Sequence, residues 1–232
     1  MNEKAYEYLE RDKLHHIDMI ESLNAKTAEV LYAEDDGVLL YNVPSCTFMI
    51  STEQRKTLDR MCEIMREASL MIIHQIQFLP FLRERFGLEE RMECFQCAYF
   101  GNKGLDEHIP EGVELRPLEM AELEFVMKNY EHDAEEDYIA ERIKAGMIGA
   151  FCNGEPAGFI GTHSEGSMGI LQILPEYRRK GIAYSLEASL INRILGQGGI
   201  PYAQIVTSNE ASLRLQKKLG MAFSDKTVGW LY

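Results

Sequence analysis

Arg178, Arg179 and Lys180 stand directly before Gly181-Ile182-Ala183, and a run of this kind can hold an anion. Residues 168–174, Met-Gly-Ile-Leu-Gln-Ile-Leu, read as an apolar strand, and the chain from Ile182 onward reads as a helix. The basic residues and the glycine therefore lie at a strand-to-helix junction. The first N–H groups of a helix have no intrahelical partners, and its dipole adds partial positive charge, so a pyrophosphate can be bound there. Gly181 lets the backbone approach such a ligand closely. Arg178 is either an anion contact or a solvated loop residue.

The elements that must position this turn follow from periodicity. Ile182, Leu186, Ser189, Leu190, Arg193 and Ile194 form a mainly apolar stripe, giving a helix over 182–195 that ends at the breaker Gly196-Gln197-Gly198-Gly199. A strand at 202–206 follows, then a helix capped by Ser208 or Asn209 and stopped at Gly220, then two strand-like runs at 221–224 and 227–232. Upstream, 113–117, 147–152 and 157–162 read as strands, with Asn153-Gly154 as a two-residue hairpin turn, and 119–130 and 135–145 read as helices. Residues 101–112, rich in glycine and polar turn formers, read as a hinge dividing a domain at 1–110 from one at 111–232.

The first half reads as a helix at 2–22, strands at 29–33, 38–41 and 46–50, a helix at 52–68, a strand at 70–74, a helix at 78–86 and a strand at 91–100. Shifting by 133 positions lays Leu82, Phe86 and Gly87 on Leu215, Leu219 and Gly220. The expectation is a tandem pseudo-repeat. No equivalent of Pro175 to Gly181 separates the strand at 46–50 from the helix after it, so a single anion site, in the second half, is expected.

The run 178–183 fits Arg/Gln-x-x-Gly-x-Gly/Ala and resembles the coenzyme A pyrophosphate loop of the GNAT superfamily of N-acetyltransferases. Glu165-Gly-Ser-Met-Gly-Ile-Leu, Leu174-Pro-Glu-Tyr-Arg, Pro201-Tyr202 and Ser208-Asn-Glu-Ala-Ser212 are similar to its glycine N-acyltransferase-like branch, over about 112–232 and loosely before that. The resemblance implies an α/β (α+β) GNAT fold: a mixed, mostly antiparallel sheet flanked by helices, here a degenerate N-terminal half followed by a cofactor-binding domain. It implies an N-acyltransferase that uses acetyl-CoA or another acyl-CoA and needs no metal. The acceptor would be a primary amine of a small molecule, amino acid or protein.

By the same resemblance, the backbone of Leu171, Gln172 and Ile173 pairs with the pantetheine arm, and Arg178, Arg179, Lys180, Gly181, Ile182 and Ala183 face the pyrophosphate. Asn209 is a cofactor contact or a plain helix cap, and Ser212 is a candidate of the same kind. The branch places a carboxylate base where this chain has Ser167; Glu165 and His163 are the nearest groups able to accept an ammonium proton. Where many members carry a tyrosine acid, this chain has Gln216. An alternative is therefore an acyl-CoA-binding protein that has lost its chemistry.

The formal net charge of −13 opposes nucleic acid and anionic membranes as partners, and suits a cationic or neutral substrate. The run Glu131-His-Asp-Ala-Glu-Glu-Asp137 is either a solvated loop or an acidic rim that attracts an amine. The five cysteines are odd in number, and Cys94 and Cys97 fall on opposite faces of a strand, which favours core thiols over a metal or redox pair. With no secretory pattern at the N-terminus, a cytoplasmic protein is expected, and a homodimer is compatible with the sequence.

Overall fold

Ala28–Glu34 (β1), Gly37–Asn42 (β2) and Thr47–Ser51 (β3) form an antiparallel meander in which Val38, Leu39 and Leu40 are all fully buried. Successive strand residues point to opposite faces, so both faces of this sheet must be covered. Asn2–Leu9 (α1) and Ile17–Asn24 (α2) cover Val38, Leu40 and Met49 with Ala5, Leu9, Met19 and Ile20. Arg55–Met65 (α3) and Leu79–Phe86 (α4) cover Leu39 and Ile50 with Leu58, Met61 and Leu82. Met71–Ile73 (β4) lies parallel to β3, and Glu90–Ala98 (β5) ends this stretch. These elements come from a computed structural model that describes residues 2–130 and 135–232.

The helix expected over 2–22 is broken into α1, a 3-10 turn at Glu10–Asp12, and α2. His15 and His16 cause the break by turning inward. The His16 ring bonds Leu9 O at 3.0 Å and Ser51 Oγ at 2.8 Å, and His15 Nε2 bonds His74 O at 2.8 Å. His16 thus occupies a carbonyl that a continuous helix would have used. Beside them His74 Nε2 lies 2.9 Å from Asp18 Oδ1, both side chains fully buried, while Nδ1 faces Ile50 O at 3.0 Å. Cys94 packs in this core, where burial pushes its thiol up to about 12.

In the second half, Val113–Pro117 (β6), Ile148–Cys152 (β7), Glu155–Thr162 (β8) and Met168–Ile173 (β9) form a second antiparallel run. Asn153 and Gly154 both have positive φ, 51° and 89°, as a tight hairpin turn requires. Leu123–Asn129 (α5) and Glu136–Lys144 (α6) place Val126, Ile139 and Ile143 against Phe151, Phe159 and Ile170. Residues 131–134 of the acidic run lie outside the described residues; Glu136 and Asp137 sit in the first turn of α6. Ile182–Gly196 (α7) packs on β7, β8 and β9. Its buried residues include Ser185 and Glu187, so the buried face is wider than the apolar stripe and takes in a carboxyl.

Tyr202–Val206 (β10), Glu210–Lys218 (α8) and Ala222–Leu231 (β11) complete the chain. The two runs expected at the C-terminus are one strand, with slipped register between Phe223 and Thr227. Ser224 Oγ, bonded to Gln96 N and Lys226 O, fills the slip. One compact unit consists of Met1–Ala98, Gln204–Leu213 and Ala222–Tyr232; there β11 runs antiparallel to β4 and to β5. The other consists of Tyr99–Ala203 and Arg214–Met221. Residues 101–112, expected to be a hinge, are held on α7: Asn192 bonds both Leu105 N (2.7 Å) and Leu105 O (2.9 Å), and Ser185 Oγ donates to His108 O. Among the described residues no helix is long and apolar enough to cross a membrane.

Candidate functional site

β9 pairs with β8 from Met168 to Ile173, and β10 joins it at Ala203 opposite Met168. Between Phe159 and Gly161 of β8 the register slips, because β9 carries one extra residue there. Ile170 takes up the slip with φ 51°. A β-branched residue in the left-handed region is strained by about 1–3 kcal/mol, so it persists only where packing dictates it. Ile170 is buried against the α5 and α6 side chains. Residue spacing gave no sign of this bulge.

After β9 the chain makes a 3-10 turn at Pro175–Tyr177 and enters α7. Arg179 (φ 60°) and Gly181 (φ 90°) are left-handed at alternate positions, as in backbone concavities that bind anions. Gly181 is the N-cap and offers no side chain, so no capping group takes the first-turn N–H donors of α7. Arg178, Arg179, Lys180 and Gly181 are exposed, and Ile182 is buried beneath them. Arg178 Nε donates to Ile173 O at 3.0 Å, tying the loop back to β9, and Lys180 Nζ sits 5.1 Å from the Tyr177 ring centre.

At the other end of β9 the structure gathers the two candidate bases. β9 begins at Met168, so Glu165 lies in the preceding turn and not in the strand. The turn nevertheless brings it beside Ser167, whose hydroxyl donates to Glu165 Oε1. Glu165 is 8% exposed, and its carbonyl accepts from the Tyr202 hydroxyl at 2.9 Å. His163 Nδ1 lies 2.9 Å from the Tyr138 hydroxyl of α6. A Cβ at Gly169 would collide with His163 Nε2, so the imidazole rests on the β9 backbone where only glycine leaves room. Burial, then the Glu165 charge, pushes the Tyr138 phenol well above its ordinary value, which keeps it neutral. Sequence reading missed Tyr138, which lies 25 residues from its partner.

Asn209 Oδ1 accepts from Ser212 N at 3.1 Å, so Asn209 caps α8 and its capping reading holds. Gln216 is buried, and its Nε2 donates to Glu187 Oε1 at 2.8 Å. Burial pushes the Glu187 carboxyl up to about 7.

Residues 148–230, from β7 to β11, match the family model described as FR47-like protein. No curated protein matches the sequence. The fold is similar to that of a Drosophila malonogaster protein, at 18% identity and TM-score 0.67 over 84% of this chain and 73% of that one. It is similar to a GCN5-related N-acetyltransferase from Kribbella flavida, at 15% identity and TM-score 0.63 over 94% of both chains. A tandem GNAT protein from the clavulanic acid biosynthesis pathway gives 13% identity and TM-score 0.51 over 93% of this chain and 87% of that one. The fold is therefore the GNAT fold, a mixed sheet flanked by helices. At these identities the likeness extends to the fold alone.

Proposed function

We propose that this chain is an acyl-CoA-dependent N-acyltransferase, with acetyl-CoA as the first donor to consider. The observation that carries the reading is the exposed basic turn at 178–181, left-handed at Arg179 and Gly181, joining a bulged strand to a helix without a side-chain cap. Uncapped N–H donors beside three cations fit a pyrophosphate. Leu171, Gln172 and Ile173 would lie along the pantetheine, with Arg178, Arg179, Lys180, Gly181, Ile182 and Ala183 at the pyrophosphate. Asn209 and Ser212 are further cofactor contacts in this reading.

With its pyrophosphate there and its arm running back along β9, the thioester would reach the start of that strand, where His163, Glu165 and Tyr138 lie. The amine nitrogen attacks the acyl carbon, a C–N bond forms, and the C–S bond breaks. The ammonium proton passes to a group of this cluster and then to the departing sulfur, giving amide and CoA thiol. Glu165 and His163 are the candidates for this proton. Holding both reactants in place supplies much of the acceleration. The acceptor is a small amine or amino acid, and the net negative charge favours a cationic or neutral one.

The N-terminal stretch to about residue 110 reads as a degenerate GNAT-like half. In support, β3–β4 and β9–β10 are both parallel pairs, and α4 and α8 are each followed by a left-handed glycine, Gly87 and Gly220. A second functional reading, an acyl-CoA-binding protein without turnover, is favoured by Gln216, which engages Glu187 at the position where the resemblance implies a tyrosine acid.

Calorimetric titration of acetyl-CoA and of CoA into wild type and Gly181→Glu tests both readings. Binding to wild type alone supports the site, and turnover with any amine then separates catalyst from binder. No binding to wild type removes both.

A further inference from the structure

The Tyr138–His163 contact decides what the imidazole can do. A phenol oxygen carries one hydrogen, and the Tyr138 phenol is held neutral, so that hydrogen is present to be donated. His163 Nδ1, 2.9 Å away, is the acceptor within reach of that hydrogen. A ring nitrogen that accepts a hydrogen bond carries no proton, so the neutral imidazole has its proton on Nε2. That nitrogen lies over Gly169, one residue before the bulge at Ile170. Among the described residues, the groups that act on Tyr138 include Glu165, Tyr130 and Arg142, and Arg142 sits 5.6 Å from the Tyr138 ring centre. Glu165 is the carboxylate among them, and it already accepts from Ser167.

We infer that Tyr138 is a positioning residue that fixes His163 in the Nε2–H tautomer against β9, so that His163 donates to the acyl oxygen while Glu165 takes the amine proton. This rests on the acyltransferase reading above. As the C–N bond forms, negative charge develops on the acyl oxygen, and a fixed N–H beside it stabilises that charge. The proton leaves the nitrogen for Glu165 and reaches sulfur as the C–S bond breaks. His163 gains and loses none.

Two measurements test this, one of them independent of activity. Long-range 1H–15N correlation on the ligand-free protein, at a pH where the ring is neutral, should show His163 Nδ1 without and Nε2 with a proton. Tyr138→Phe should give a mixture of tautomers. The reverse tautomer in wild type overturns the assignment whatever the protein's activity. In kinetics, Tyr138→Phe should lower kcat by roughly 10- to 100-fold and leave KM for acetyl-CoA unchanged. Glu165→Gln should remove the acidic limb of the pH–rate profile, and His163→Gln should lower the rate but keep the limb. Loss of that limb in His163→Gln makes His163 the base and overturns the donor role. If wild type fails to bind acetyl-CoA, the acyltransferase reading and the donor role fall together, and the tautomer is decided by the spectrum alone.

Discussion

Two glycines, Gly169 within β9 and Gly181 at the head of α7, are needed for different reasons. A Cβ on Gly181 would sit 3.6 Å from Pro110 Cγ, an ordinary contact, so glycine is required there for its φ of 90°. Gly181→Ala should therefore cost about 1–2 kcal/mol, read as a lower Tm, with acetyl-CoA binding retained; lost binding would mean that the turn has no room even for a methyl. At Gly169 crowding decides, because a methyl collides with His163 Nε2. Gly169→Ala should match His163→Gln in kcat, and a variant with wild-type kcat would separate the imidazole from the reaction. Gly181 was legible in the sequence because glycine beside basic residues at a strand-to-helix boundary has few other uses. The ring on Gly169 was not, since it depends on where α6 delivers Tyr138.

Strands and helices were legible wherever periodicity set them: the strands at 113–117 and 202–206 fall where alternation places them. The failures share a cause. Polar side chains took over backbone groups at His16, Ser224 and Asn192, and periodicity carries no record of such bonds. The tie between α7 and α8 is of this kind. Glu187 Oε2 and Gln216 Oε1 are buried with no partner, beside the bond from Gln216 Nε2 to Glu187 Oε1. A proton on Glu187 Oε2 would satisfy both oxygens, and among the described residues the carboxyl's shift has burial and the Gln216 bond as its causes. Its pKa is raised from 4.5 to about 7 in the folded state. Its stabilising effect is thus full below pH 4.5 and lost as pH rises toward 7, by about 3 kcal/mol. Hydrogen exchange of α7 amides should show that loss in wild type, and Glu187→Gln should flatten it. An unchanged slope in the variant would place the proton elsewhere.

At the scale of the whole molecule the two units carry opposite proton linkage. In the first, burial and the neighbouring His74 push His15 down to about 4 and His16 down to about 3, so both are neutral when folded. Unfolding below pH 6.5 then takes up two protons, and stability rises with pH between 4.5 and 6.5 by about 2–3 kcal/mol per unit. His74 behaves in the opposite sense. Its two ring nitrogens face a carboxylate and a carbonyl, and Asp18 raises its pKa against the cost of burial. Its contribution is full below 6.5 and declines as pH rises toward its raised value, by about 1.4 kcal/mol per unit. The first unit should therefore be most stable near pH 6.5. Trp230, the only tryptophan of the chain, reports on it through its bond to Gln204, which also donates to Asp18. Urea midpoints from its fluorescence should rise from pH 4.5 to 6.5, while α7 protection in the second unit falls over the same window. His74→Gln should abolish the decline above pH 6.5. A tryptophan midpoint that instead stays flat between 4.5 and 6.5 would mean that His15 and His16 are charged in the folded state, and the buried network would have to be reassigned.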